Sequence, residues 1–221
     1  MHRRRRTALL VSSAALLVAA PLLTGCGSDE HAGTAAVVDG QRITVSQLQG
    51  RVQEIRDALR DAVPDNTQYE QVVAKTGNLT RSTLQTMVID QVVHRAAVDA
   101  DAAASRKEIQ QMRTGLEQQA GGAKALERGW LQQYGVAPER LEENLRTELE
   151  AQKLAGKLGV DMNTQAGQNA FWKKISTTAE HMNIDMNPRY GTWDAKKNSR
   201  VDAKTPWLRD VTAPAPSQQQ A

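Results

Sequence analysis

From Val45 to Met182 the apolar residues return every third or fourth position, which is the period of helices packed on one face. Val45, Leu48, Val52, Ile55 and Leu59 make the first such stripe. Thr44 and Gln47 stand at capping-box spacing in front of it, and Pro64-Asp65 stops it. A weaker helix is expected over 69–75, ending at Gly77-Asn78. From Thr80 to Ala100 the apolar positions Leu84, Met87, Val88, Ile89, Val92 and Val93 cover more than one face, so this segment is expected at the centre of the fold. Ser105 and Glu108 form a second capping box, opening a helix with Ile109, Met112 and Leu116 on one side and Gly121-Gly122 at its end. A shorter helix carries Leu126, Trp130 and Tyr134 and stops at Gly135. Pro138 then suits the first turn of a long helix to Leu158 with Leu141, Leu145 and Leu149 inward. After a break over 159–163, a last helix over 164–182 presents Phe171, Ile175, Ala179 and Met182. Met87, Met182 and Trp172 beside Phe171 read as core.

The two ends of this run have a different period. Ala35-Ala-Val-Val-Asp39-Gly40-Gln-Arg-Ile43-Thr44 is an extended apolar run, a glycine turn and a short return. Ile184 and Met186 alternate with polar neighbours, and Pro188 holds Asn187 extended. Neither segment is stable as a lone strand, so the two are expected to pair. The fold class expected is therefore mainly α: a single domain of six to seven helices over residues 35–210, with a small two-stranded pairing of its N-terminal and C-terminal segments. Tyr190 and Trp193 pack the closing segment onto this domain, with Gly191 in a turn, and Trp207 anchors its last ordered stretch. Residues 211–221, rich in Ala, Pro and Gln, have no apolar face to bury and are expected to be disordered.

What precedes the domain changes the reading of its charge. Four arginines at positions 3–6 lead an apolar run from Ala8 to Ala20 that is too short for a comfortable membrane span, which describes an export signal over residues 1–25. The run closes on Leu23-Thr24-Gly25-Cys26, which contains the single cysteine of the chain and resembles the lipobox of bacterial lipoproteins. The resemblance implies a diacylated, palmitate-bearing Cys26 as the new N-terminus; two acyl chains anchor stably where one is marginal. Residues 26–34 then form a flexible tether spanning on the order of 15 Å. The formal charge of +3 includes the four leader arginines; without them 24 basic residues face 25 acidic ones, a net of −1. No basic stripe with interleaved aromatics remains, so nucleic acid is not an expected partner. The localisation expected is the extracytoplasmic face of the cell membrane, reached through the lipid. The four arginines also match a twin-arginine signal loosely, and the export route stays open.

The sequence offers no catalytic constellation: it lacks a G-x-S-x-G elbow, a P-loop, a dinucleotide fingerprint and an HExxH pair. His2 leaves with the leader and His31 lies in the tether, so His94 and His181 are the domain's histidines. Asp90 with His94, and His181 with Asp185, are four apart and could each share a helix face; a surface ion pair is the plainer reading than a metal site. No cofactor and no metal are expected. Among the aromatics and thioethers, Met112, Trp130 and Tyr134 lie on the shorter, more peripheral helices and are the candidate client-binding residues.

The ordered set of Ala-Val-Val-Asp-Gly-Gln-Arg-Ile-Thr running into a helix, a long apolar helix, a Ser-x-x-Glu-Ile cap and a Gly-Val-x-Pro-Glu-x-Leu turn into a Leu-rich helix resembles the N-terminal domain of SurA-type and PrsA-type extracytoplasmic chaperones. The closing Asn-Pro-Arg-Tyr-Gly-Thr-Trp-Asp is similar to that of actinobacterial lipoproteins of this group, and the resemblance spans residues 35–194. Ala102-Ala-Ala departs from the Gly-Ile-type turn usual there. The resemblance implies a helical cradle for unfolded or newly exported polypeptides. Members often insert a parvulin prolyl-isomerase domain before the closing strand; the interval 159–183 is too short for one and reads as a single helix. The function expected is a non-catalytic, lipid-anchored holdase. Two alternatives stand beside it: a prolyl isomerase with an unrecognised active site, and an adaptor lipoprotein docking one dedicated envelope partner. Oligomeric state stays open.

Overall fold

The computed structural model describes residues 33–63, 69 and 78–203. The leader, Cys26 and its lipobox, His31, most of the expected 69–75 helix, Trp207 and the tail lie outside the described residues.

Strand β1 (Thr34–Val38) turns back into β2 (Gln41–Thr44) through Asp39 and Gly40, both at positive φ (49° and 76°). A two-residue turn with both centres left-handed matches the twist of a hairpin, and Asp-Gly tolerates it well. On its other side β1 pairs with β3 (Asp185–Met186), with Ala36 opposite Met186 and Val37 opposite Asp185. The sheet order is thus β2-β1-β3, so the expected pairing of the two ends forms and the β2 return joins it. As the central strand β1 is covered on both faces, with Ala35, Ala36 and Val38 fully buried.

Six α-helices are described: α1 (Val45–Ala62), α2 (Leu79–Asp99), α3 (Arg106–Ala120), α4 (Ala123–Tyr134), α5 (Leu141–Leu158) and α6 (Gln165–His181). Both capping boxes are made. Thr44 Oγ1 accepts from Gln47 N at 3.1 Å while Gln47 Oε1 accepts from Thr44 N at 2.8 Å. Ser105 and Glu108 repeat the arrangement, and Lys153 Nζ on α5 adds a 2.8 Å bond to Glu108 Oε1. The Lys153 ammonium first, and Ser105 after it, hold the Glu108 carboxyl down at about 2. Between α4 and α5, Pro138–Arg140 forms a 3-10 turn, so the long helix itself begins at Leu141, later than Pro138 implied.

α2 is the central helix and touches α1, α5, α6, β1 and the C-terminal hairpin. Its buried face meets Leu48 and Val52 of α1, Leu154 of α5, and Phe171, Ile175 and Ala179 of α6 in one core that also takes in Met182, Met186 and Tyr190. A second, smaller cluster joins Ile109, Leu126, Leu141 and Leu145, with Met112, Leu116, Trp130 and Leu149 around it. Helix α5 belongs to both clusters and ties the α3–α4 hairpin to the body.

Besides the later start of α5, one residue and one hairpin depart from expectation. Trp172 is 45% exposed, not core, because its neighbour Phe171 occupies the inward stripe with Ile175 and Ala179 and the next helical position points about 100° away. After the 3-10 turn Pro188–Tyr190, strands β4 (Thr192–Asp194) and β5 (Ser199–Val201) form a hairpin that the sequence pattern did not announce. Asp194 Oδ1 accepts from Lys196 N and Lys197 N, and Asn198 takes positive φ to close the turn. Gly191 has φ 118°, and a Cβ there would sit 2.4 Å from Val201 O.

Candidate functional site

A cleft of about 210 Å³ lies where α1, α2, the end of α4, the 3-10 turn and the start of α5 converge. Ile55, Leu79, Met87, Val136 and Ala137 give it apolar walls, and Tyr134 stands at its rim with 56% of its surface exposed. Gly135 ends α4 in the left-handed conformation, and the 3-10 turn then carries the chain across the cleft mouth into α5. Such a concave, mostly apolar site with a few convergent polar groups is the usual form of a binding site.

The polar groups are tightly organised. Arg51 Nη2 donates to Glu143 Oε1 at 2.6 Å, linking α1 to α5. Arg140 forks onto Glu54, Nε and Nη2 each donating at 2.7 Å, and its Nη1 lies 3.6 Å from Glu143. The Arg140 guanidinium holds the Glu54 carboxyl below the usual carboxylate range, while its own pKa is raised by the same bond. Asp90, on the cleft side of α2, makes no ion pair among the described residues. Burial pushes its carboxyl up to about 6; a hydrogen bond with the Thr147 hydroxyl opposes the rise, the Glu143 charge adds to it, and the Arg51 and Arg146 charges oppose it. Thr83, two turns before Asp90, lines the same cleft and keeps its buried Oγ1 without a hydrogen-bond partner.

Of the three sequence-derived candidates, Tyr134 faces this cleft. Its ring meets Trp130 at 5.2 Å between centroids. Trp130 itself is half-buried, its Nε1–H donating to Asn144 Oδ1 at 2.8 Å, and Met112 packs against the smaller cluster. The structure therefore brings Trp130 and Tyr134 together and leaves Met112 on the α3 side of the arm. Asp90 and His94 do not pair, although four apart. Instead His94 Nδ1 lies 3.0 Å from both oxygens of Glu150 on α5, a carboxylate only 1% exposed that also accepts from Ala104 N at 3.3 Å. His181 ends α6 and Asp185 opens β3. No group of three or more His, Cys, Asp or Glu residues able to hold a metal ion occurs among the described residues. No described helix is long and apolar enough to cross a membrane. Leu79, Val136 and the arginine–glutamate pairs were not visible as site residues, since their meeting depends on how α4 docks; Ile55 and Met87, on the predicted stripes of α1 and α2, were walls with a sequence signal, though as core positions and not as site residues.

The order of elements around this cleft, from the strand-to-helix start through the α2 centre to the α4–α5 turn, is the part of the chain matched by a known family: the description "SurA-like N-terminal domain" matches residues 1–155. The chain belongs to the SurA-like N-terminal domain family. The match ends inside α5, so α6 and strands β3 to β5 lie beyond it. No curated protein and no solved structure gives a significant match. Membership of the SurA-like family points to a chaperone-family relationship, and the helical architecture agrees with it.

Proposed function

We propose that this SurA-like chain is a non-catalytic holdase that binds extended apolar segments of unfolded or newly exported polypeptides, and that it works from the outer face of the cell membrane on a diacyl anchor at Cys26. The observation that carries the binding reading is the cleft walled by Ile55, Leu79, Met87 and Val136 with Tyr134 at its rim. One such cleft holds a side chain or two, so binding is weak and tolerant of sequence, as a holdase requires. The interval 159–183, where chaperones of this kind often carry a parvulin domain, is filled by the single helix α6, which supports a function without isomerase chemistry.

The purified chain should suppress aggregation of an unfolded client at near-stoichiometric ratios, and Tyr134→Ala should weaken that suppression; no suppression across several clients would overturn the reading. A protease-coupled proline-isomerisation assay should read at background. Crosslinking in cells separates the adaptor alternative: a broad smear of exported proteins supports the holdase, one dominant adduct supports a dedicated partner. Cys26→Ala should release the protein into the medium or leave an unprocessed precursor, and an unchanged membrane-bound mature form would remove the anchor from the proposal.

A further inference from the structure

Among the charged side chains that line the cleft, one has no ion pair with another described residue, its hydrogen-bond partner being the Thr147 hydroxyl. Arg51 is taken by Glu143 and Arg140 by Glu54, each at 2.7 Å or closer, and the Asp90 carboxylate remains. An unmet polar group lies on the same face of α2: Thr83, 7% exposed, lines the cleft with its hydroxyl unpaired. Positions 83, 87 and 90 are spaced by four and three, so Thr83, Met87 and Asp90 form one stripe about 10 Å long. An anionic side chain entering here would meet the Asp90 carboxylate and two lining guanidinium groups already bound; Arg146, whose buried Nε has no partner, faces Asp90 from α5 but does not line the cleft. A purely apolar one would bury Asp90 further without pairing it. The side chain that suits an apolar wall ending in a carboxylate without an ion pair is a long aliphatic stem with a cationic head.

Resting on the holdase reading of this cleft, we propose that it is a subsite for a lysine or arginine side chain of the bound segment, its stem lying along Ile55, Met87 and Val136 and its head meeting the Asp90 carboxylate. The site thereby selects apolar segments that carry a basic residue over apolar segments that do not. The elevated Asp90 carboxyl, at about 6, supports this: the empty site keeps the charge at a cost to the fold, and a bound cation relieves that cost. The groups facing Asp90 are Arg51 from α1, Glu143, Arg146 and Thr147 from α5, with Arg140 and Tyr134 across the cleft. Discrimination should therefore fail as Asp90 becomes protonated.

The test uses the full chain and two dansyl-labelled apolar nonapeptides that differ at one central residue, lysine in one and norleucine in the other, so that stem length is matched and the charge alone changes. By fluorescence anisotropy at pH 8 the lysine peptide should bind at least tenfold more tightly, and at pH 5 the gap should shrink below threefold. Because both peptides see the same protein at each pH, this readout needs no variant. In Asp90→Asn, shown to be folded by its helical circular dichroism, the two affinities should come within twofold of each other at pH 8. Equal binding of the two peptides to the wild type, or a gap that survives Asp90→Asn or pH 5, overturns the subsite and leaves the holdase reading standing. If neither peptide binds at either pH, the cleft as a client site falls, and the subsite with it.

Discussion

Asp90 and Glu150 are carboxylates on helix faces that look inward, and their surroundings treat them differently. Glu150, 1% exposed, has His94 on both oxygens and Ala104 N–H besides, so its burial is met by hydrogen bonds. Glu150→Ala should cost about 1–3 kcal/mol in urea unfolding, because it opens a hole and strands the Ala104 amide; Glu150→Gln, which keeps an acceptor, should lose less. Asp90 has no such set. Its folded carboxyl is raised from 3.8 to about 6, burial being the leading cause. A folded pKa above the unfolded one means that the unfolded chain ionises first as pH rises, so this group lowers stability between about pH 4 and 6 and holds that loss above 6. Asp90→Asn should therefore match the wild type near pH 4 and exceed it at pH 8, by up to about 2–3 kcal/mol, in paired denaturant titrations. Equal stability at both pH values would show that Asp90 is solvated. The sequence placed Asp90 and His94 on one face of α2, yet which carboxylate His94 meets was decided by α5, 56 residues away.

At the scale of elements, local chemistry written in the chain accounts for most helix ends. The Thr44-Gln47 and Ser105-Glu108 boxes and the left-handed glycines 121, 135 and 159 all sit where the sequence put them. Ser105→Ala should cost about 1 kcal/mol, seen as a shift in the urea midpoint with unchanged slope, since it frees the Glu108 amide. The start of α6 depends on something less legible. Gly167 is buried, and a Cβ on it would lie 1.9 Å from Asp161 O, so the loop 161–164 passes directly over the helix. Gly167→Ala should destabilise the protein by about 2 kcal/mol or more despite the better helix propensity of alanine, because the atom it meets is backbone. Thermal melting of that variant checks it. Strands β4 and β5 escaped the sequence because three residues each, among them Asp194, Ser199 and Arg200, carry no alternating pattern. Their pairing rests on the Asp194 and Asn198 turn and on the close approach of Gly191 to Val201.

The whole molecule is a body and an arm of unequal strength. Among the described residues, twenty-two buried ones make the main core, and four make the cluster that holds α3 and α4 onto α5. Local opening follows buried apolar contact, so amides of α3 and α4 should exchange with solvent at least tenfold faster than those of α2 in native-state hydrogen exchange. Uniform protection across both would mean that the arm opens only with the body. This inequality bears on the proposed function, because Tyr134 and Val136 belong to the arm side of the cleft while Leu79, Met87 and Asp90 belong to the body. What the sequence determined by itself was the helical class, the order and ends of the helices, the hairpin at the start and its pairing with Ile184-Asp-Met186, since each follows from periodicity, capping and turn chemistry among near neighbours. What only the tertiary structure decided was the cleft: that Tyr134 faces it while Met112 does not, that Arg51 and Arg140 are taken by Glu143 and Glu54, and that Asp90 is left over. Those outcomes depend on the angle at which α4 and α5 meet α1 and α2, and that angle is set by how distant side chains fill shared space, which no local pattern encodes.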